Sequence, residues 1–355
     1  MVQYKKNRTL WRFFLYMSFI LCIFAPITGK TNCHFFFMDI KQRYIASEER
    51  YADAGKLYNR CGASGVLLPK VSLGFWHNFG GVDPYERSRA ITHYAFDHGI
   101  THFDLANNYG PPYGSAEETM GRLMEDDFAT YRDELFISTK AGYDMWPGPY
   151  GNWGSRKYLM ASLDQSLMRM KLDYVDLFYS HRFDPDTPIE ETLQALVDIV
   201  RQGKALYVGI SNWPLEPLRQ AVTFLREQHT PLLIYQGRLN LLYQKPIEEG
   251  ILDLCRAEGI GFIAYSPLAQ GLLSDRYLDG IPADSRMAKE HFLQSWNRTP
   301  KLLDYLHKLQ AEAATKNRAI AQEALNWILE QQGVTSVLVG ASSIAQLESN
   351  LQTIR

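Results

Sequence analysis

The chain has 355 residues, 46% hydrophobic and 21% charged, enough to bury one large core within a single domain. With 37 Lys plus Arg against 39 Asp plus Glu, the formal net charge of -2 lacks the basic excess of a nucleic-acid binder, which excludes that class. Cys22, Cys33, Cys61 and Cys255 form no Cys-x-x-Cys pair, which speaks against a disulfide framework and against a zinc site.

Residues 1–37 read as an apolar leader. Lys5, Lys6 and Arg8 precede an apolar run from Phe13 to Ile27, shorter than the ~20 residues that a spanning helix needs, and no A-x-A cleavage site follows. An export signal, a membrane anchor over residues 10–27 and a start codon set too early all stand as readings. Residues 38–56 follow as a polar arm. Leu57–Gly62 and Val66–Pro69 then predict two short strands around a Gly-Ala-Ser-Gly turn, a hairpin ahead of the main fold.

From Val71 onward short apolar runs alternate with amphipathic segments of helix length, the pattern of repeated βα units. The predicted strands are Val71–Phe75, Thr101–Leu105, Leu135–Thr139, Val175–Ser180, Leu206–Ile210, Leu233–Tyr235, Gly261–Tyr265 and Ser336–Val339. Between them, Ile189, Leu193, Leu196, Val197 and Val200 share one helix face, as do Leu218, Ala221, Val222 and Leu225. An open doubly wound sheet would alternate in the same way. Polar or aromatic residues nevertheless follow nearly every strand: Trp76, Asp104, Lys140, His181, Ser211 and Asn212, Gln236, Tyr265 and Ser266, and Gly340 to Ser342. In a closed (β/α)8 barrel these ends share one rim, where such folds place their sites, so the α/β fold expected for residues 57–355 is a TIM barrel preceded by a hairpin.

Two patterns are set aside. Gly259-Ile-Gly261 imitates a dinucleotide fingerprint but leads out of a helix into a strand, the reverse of what the fingerprint requires. His93, His98 and His102 do not converge on one helix face, so no metal site is expected.

The chemistry lies elsewhere. Asp104 ends a strand, Tyr109 stands five residues later in a loop, and Lys140 and His181 end two further strands. Reduction of a carbonyl needs a proton on oxygen, and a phenol of pKa ~10 is a poor proton exchanger at neutral pH. A nearby ammonium makes that proton easier to release, and a carboxylate holds the ammonium in place. Tyr109 is therefore the expected acid, Lys140 its activator, Asp104 the anchor and His181 a hydrogen-bond donor to the carbonyl oxygen. Singly, each has a plainer reading as a cap, a solvated lysine or a structural histidine. All four on one rim outweigh those readings.

The segments Phe103-Asp-Leu-Ala-Asn-Asn-Tyr-Gly110, Ser138-Thr-Lys-Ala-Gly-Tyr-Asp-Met-Trp-Pro-Gly-Pro-Tyr-Gly151, Tyr265-Ser-Pro-Leu-Ala-Gln-Gly-Leu-Leu273 and Val337-Leu-Val-Gly-Ala-Ser-Ser343 together give a specific match. From about Tyr58 onward the sequence resembles the aldo-keto reductase superfamily. The branch is the one that contains bacterial glyceraldehyde 3-phosphate reductases and the β subunits of voltage-gated potassium channels. The resemblance implies the Asp-Tyr-Lys-His tetrad and NADPH/NADP+ as cofactor. It implies that Ser211, Asn212 and Gln236 hold the nicotinamide amide, that Tyr265 stacks on the ring and that Trp76 lines the same cavity. Ser266, Pro267, Leu268, Ala269 and Gly271 would pass under the pyrophosphate, and Arg276 and Arg286 would meet the 2′-phosphate. Gly340, Ser342, Gln346 and Asn350 match adenosine-binding positions, with Ser342 opening a helix whose N-terminus favours an anion.

Small aldehydes of the glyceraldehyde 3-phosphate or methylglyoxal class are the implied substrates, with Tyr143 and Trp146 as aromatic walls and Arg156 and Lys157 as an attraction for phosphate. Ser349 departs from the pattern, standing where many relatives carry a glutamate against the adenine. Relatives also continue beyond Leu351, which implies a C-terminally truncated barrel. A cofactor regenerated inside cells favours a cytoplasmic chain started at Met38 over a membrane-anchored one, and the resemblance implies a homo-oligomer. The other reading is an NADPH-binding auxiliary subunit of a membrane channel. Those subunits carry Asn where this chain has His181, which argues against a membrane partner.

Overall fold

A computed structural model describes residues 44–353 apart from 284 and 289–292. The leader, the start of the polar arm, Cys22 and Cys33 lie outside the described residues. Eight parallel strands close into a barrel in the order β10-β3-β4-β5-β6-β7-β8-β9. These are β3 (Val71–Gly74), β4 (His102–Asp104), β5 (Phe136–Ala141), β6 (Val175–Ser180), β7 (Ala205–Ser211), β8 (Ile234–Arg238), β9 (Gly261–Tyr265) and β10 (Val334–Val339). Every strand expected from the alternation is present. The ends differ: β5 runs to Ala141 and β7 to Ser211, so Lys140 and Ser211 lie within strands, fixed by ladder pairing to Tyr179 and Gln236. Ladder bonds hold such residues more firmly than a loop would.

Ahead of the barrel, β1 (Tyr58–Arg60) and β2 (Leu67–Pro69) form the expected antiparallel hairpin. It stoppers the N-terminal mouth: Cys61 and Leu68 are fully buried against Leu177, Tyr179, Leu233, Ile234, Ile263 and Leu338. Gly259 O accepts from Ala63 N at 2.8 Å, and Thr335 O from Asn59 Nδ2 at 3.1 Å, tying hairpin to barrel. Within the barrel, a Cβ at Gly209 would come within 2.5 Å of the Tyr179 ring, so only glycine leaves that ring its space.

The described part of the polar arm is shorter on freedom than its composition suggests. Glu48–Tyr51 forms a 3-10 turn and Ala54–Leu57 a helical turn, while Arg50 makes a two-pronged bond to Glu134 and Tyr44 stacks on His93 at 3.8 Å.

The outer layer holds α1 (Tyr85–Asp97), α2 (Ser115–Leu123), α3 (Arg156–Met170), α4 (Ile189–Arg201), α5 (Leu215–Glu227), α6 (Ile251–Ala257), α7 (Pro300–Thr315), α8 (Ile320–Leu329) and α9 (Ile344–Leu351). On α5 the stripe Leu218, Ala221, Val222, Leu225 is buried as its spacing predicts; on α4 Leu193, Leu196 and Val197 are buried while Ile189 and Val200 pack at the edge. Gly259, at φ +68°, stops the chain after α6 before β9, the structural part expected of that Gly-Ile-Gly segment.

Among the described residues no helix is long and apolar enough to cross a membrane, and no cluster of three metal-ligating side chains occurs. Cys61 and Cys255 are free buried thiols, pushed up to about 12 by burial.

Candidate active site

At the C-terminal mouth of the barrel lies a cleft of about 1200 Å³. Its floor is an ion pair, with Lys140 Nζ donating to Asp104 Oδ2 at 2.5 Å and to Leu105 O at 2.6 Å, both side chains buried. Asp104 Oδ1 accepts from Ser138 Oγ at 2.7 Å and from Gln236 Nε2 at 3.1 Å. Lys140 Nζ also reaches the Tyr109 hydroxyl at 3.4 Å. Carboxylate, ammonium and phenol thus form one line from the barrel interior to the cleft, and Lys140 itself stands behind the lining.

Burial pulls the Lys140 ammonium below its ordinary value against the opposing pull of Asp104. Burial, with the Asp104 charge, raises the Tyr109 phenol well above its own, so the phenol holds its proton at neutral pH. The acidifying influence expected from Lys140 is outweighed in this state by desolvation. His181 is held well below its usual range by burial and by the Lys140 and Arg182 cations, so its imidazole is neutral and presents one N–H. Its Nδ1 is buried with no hydrogen-bond partner among the described residues. His181 sits where it does because Gly142 opposes it: a Cβ there would lie 2.9 Å from His181 Cβ.

Around this floor Asn212, at φ +59°, donates to His181 O at 3.1 Å and accepts from the Tyr265 hydroxyl at 2.8 Å, locking the ends of β6, β7 and β9 together. Tyr143 meets the His181 ring edge-on at 4.7 Å. Arg182 lies 4.5 Å from the Tyr143 ring and 3.5 Å from the Trp153 ring, and donates to Gly142 O and Asn152 Oδ1, which pins the 142–154 loop.

The outer lobe of the cleft is the stretch lined by Ser266, Leu268, Gly271, Arg276, Arg286, Ser342, Gln346 and Asn350, among others. Burial lowers the Arg286 guanidinium from its usual value and the Arg276 charge lowers it further, so two cations converge on one end of the lobe. Gln270 Oε1 and Asn350 Nδ2 are buried there without hydrogen-bond partners among the described residues. Convergent cations and unmatched polar atoms suit a long, polar, anionic ligand.

Of the residues singled out from sequence, Trp76, Asp104, Tyr109, Tyr143, His181, Ser211, Asn212, Gln236, Tyr265, Ser266, Pro267, Leu268, Gly271, Arg276, Arg286, Gly340, Ser342, Gln346 and Asn350 line this cleft. Ala269 does not: it is buried in a satellite core with Leu272 and Leu273. Nor does Trp146, whose ring packs 5.1 Å from Tyr158 against the main core, leaving Tyr143 as the aromatic wall.

Arg156 pairs with Asp198 at 2.5 Å and Lys157 lies over the Tyr150 ring, so neither cation lines the cleft. The last helix is capped by Ser343, whose hydroxyl accepts from Gln346 N at 3.2 Å; Ser342, one residue earlier, instead donates to Gln346 Oε1 at 3.1 Å. Arg87, Asn108, Arg238, Tyr277 and Ser349 also line the cleft. Of these only Ser349 stands out in the sequence: Arg87 is at a helix start, Asn108 in a loop, Tyr277 in a 3-10 turn and Arg238 at the end of β8, places that mark no site by themselves.

A fold of this kind with a buried Asp-Lys pair behind a phenol defines a carbonyl-reducing barrel, and comparison with known proteins agrees. The family model described as "Aldo/keto reductase family" matches residues 70–355, and the chain belongs to this family. The chain is 56% identical over 316 residues to the L-glyceraldehyde 3-phosphate reductase of Escherichia coli strain K12, covering 88% of this chain and 90% of that protein. It is 33% identical over 303 residues to a probable voltage-gated potassium channel subunit beta of Arabidopsis thaliana, covering 84% and 90%. A solved thermostable aldo-keto reductase in complex with the inhibitor epalrestat superimposes with a TM-score of 0.66 at 29% identity, covering 84% of this chain and 93% of its own. The protein is thus an oxidoreductase of the aldo-keto reductase family, and the similarity to a named reductase supports aldehyde reduction.

Proposed function

We propose that the chain reduces small aldehydes of the glyceraldehyde 3-phosphate or methylglyoxal class to alcohols, with NADPH as cofactor and Tyr109 as general acid. The observation that carries this reading is the line Asp104–Lys140–Tyr109, which ends in a protonated phenol at the cleft beside a neutral His181. When bound, NADPH supplies a hydride for the carbonyl carbon. Tyr109 delivers the proton to the oxygen, and Lys140, 3.4 Å away, stabilises the phenolate left behind. Asp104, gripped by Ser138 and Gln236, keeps that ammonium aimed. His181 donates its remaining N–H to the carbonyl oxygen and fixes which face of the carbonyl is presented.

For the cofactor, Ser211, Asn212 and Gln236 line the cleft and would hold the nicotinamide amide, and Tyr265 would offer a ring face fixed by its bond to Asn212. Arg276 and Arg286 would hold a 2′-phosphate and relieve their mutual repulsion. Asn350 Nδ2 and Gln270 Oε1 would find partners on the nucleotide.

The test is oxidation of NADPH by the purified protein against a panel of aldehydes that includes both named classes. Turnover of these aldehydes supports the reading. Binding of NADPH without turnover of any aldehyde would favour the auxiliary-subunit role that the name of the Arabidopsis relative suggests.

A further inference from the structure

A polar chain runs through the barrel interior beneath the ion pair, and of it the proposed reaction uses only the last contact, Ser138 to Asp104. Ser336 Oγ lies 2.7 Å from Ser72 Oγ, and Ser72 Oγ lies 2.9 Å from His102 Nδ1. His102 Nε2 lies 3.0 Å from Ser138 Oγ, which lies 2.7 Å from Asp104 Oδ1. All five side chains are buried.

The direction of the bonds follows from the far end. A carboxylate oxygen only accepts, so the Ser138 hydroxyl donates to Asp104 and must itself accept from His102 Nε2–H. A neutral imidazole protonated on Nε2 accepts at Nδ1, so Ser72 donates there and receives from Ser336. Neutrality is ensured by burial, which pushes His102 down to about 4, and the edge-on ring of Phe136 at 5.4 Å holds the imidazole in plane. With the imidazole neutral, the hydrogens of Ser72, His102 and Ser138 therefore all point toward Asp104, and Ser336, whose Oγ also lies 3.4 Å from Lys70 O, closes the far end.

We propose that Ser138 and His102 are positioning residues for the reduction: a one-way hydrogen-bond chain ending on Asp104 Oδ1 turns the carboxylate so that Oδ2 meets Lys140. Among the described residues, the one other hydrogen bond to Asp104 Oδ1 comes from Gln236, which lies across the barrel at 3.1 Å and itself faces the cleft. The inference rests on the reading of the reaction given above. Lys140 is faced by Asp104 and Tyr109 from β4 and its loop, Glu117 from α2, and Tyr179 and His181 from β6 and its end. Asp104 makes the hydrogen-bonded ion pair among these, and the chain governs that contact.

The test compares the parent with Ser138→Ala, Ser138→Thr and, one link further back, Ser72→Ala. Each is assayed as NADPH oxidation over a range of pH, with NADPH binding by fluorescence and thermal unfolding measured in parallel. In Ser138→Ala the carboxylate loses its fixed donor and kcat falls about tenfold or more, the scale of one hydrogen bond to a charged group, while KM changes little. Lys140 is then held less well, and the alkaline limb of the rate profile moves to lower pH, because the Tyr109–Lys140 pair gives up its proton sooner. Ser138→Thr keeps a hydroxyl and restores most of the rate and the parent's pH profile. Ser72→Ala shifts both in the same direction by less, and it carries the test if Ser138→Ala does not fold.

A purely structural role would lower the melting temperature and leave the folded enzyme's pH profile in place; that outcome, with an active parent, overturns the chain. A parent that turns over no aldehyde overturns the reading of the reaction, and the positioning role with it.

Discussion

Acid should find this protein's weak point at His102. The imidazole is fully buried and pushed down to about 4, first by desolvation and next by the Lys140 charge, against the opposing pull of Asp104. An unfolded chain presents a histidine of pKa near 6.5, so between that value and about 4 the unfolded state binds a proton that the folded state refuses. Stability therefore falls as pH falls through this window and is unaffected by His102 above it. Going from roughly pH 7 to roughly pH 5 covers most of two pH units at ~1.4 kcal/mol each, so His102 alone accounts for a loss of about 2 kcal/mol.

The perturbation is His102→Gln, which retains a donor and an acceptor but cannot take up a proton. Its acid-induced loss, measured by urea unfolding at the two pH values, should be smaller than the parent's by that amount. In thermal unfolding the difference should be roughly 3 °C at this chain size. The variant can be less stable than the parent at neutral pH without affecting the comparison, since only the pH increment is read. Equal acid losses in parent and variant would show that the imidazole is not held neutral, and the direction assigned to the Ser72–His102–Ser138 bonds would fail with it.

Tyr109→Phe should lower turnover by ~100-fold or more while NADPH binding persists, a separation readable from single-turnover rates and cofactor fluorescence; undiminished turnover would remove Tyr109 as the acid. Changing Arg276 and Arg286 together to Ala should erase most of the preference for NADPH over NADH, measured as a ratio of dissociation constants, because both cations line the same end of the lobe. Lys140→Met should cost about 3–5 kcal/mol in stability by leaving Asp104 charged and unpaired, checked by denaturant unfolding, and adding Asp104→Asn should recover part of that cost. Tyr143→Ala should raise KM for aldehydes with little loss of stability, whereas Trp146→Ala should destabilise by about 1–3 kcal/mol, since of the two rings the first lines the cleft and the second, partly buried, packs on the core.

The barrel and its rim were legible because period and position carry them. Eight apolar runs of strand length, nearly all followed by polar or aromatic residues, leave few alternatives once the strand ends must share a face. Asp104, Lys140 and His181 could be read in the same way, as chemistry-bearing types at strand ends, with Tyr109 in the loop that follows the first of them.

What escaped was direction. Trp146 and Tyr143 stand three residues apart in one loop, and which ring turns to the cleft depends on Arg182 pinning that loop from the end of β6. Arg156 and Lys157 looked available for phosphate because their partners, Asp198 on α4 and the Tyr150 ring, are distant in sequence. Spacing along the chain sets His102 beside His93 and His98 and says nothing of its neighbours across the sheet. Its links to Ser72 and Ser138 cross three strands, and nothing in a linear pattern reports such a crossing.

The stopper formed by Cys61 and Leu68 bears on the reaction although it touches no ligand. Charge interactions around Asp104 and Lys140 keep their strength only while the surroundings stay poorly polarisable; water admitted from the N-terminal mouth would raise the local dielectric constant and weaken them several-fold. The chain of hydroxyls leading from Ser336 would then have solvent to bond with in place of itself. A segment at the opposite end of the barrel thus acts as insulation for the acid, and any transplant of this site onto another scaffold would have to bring the hairpin with it.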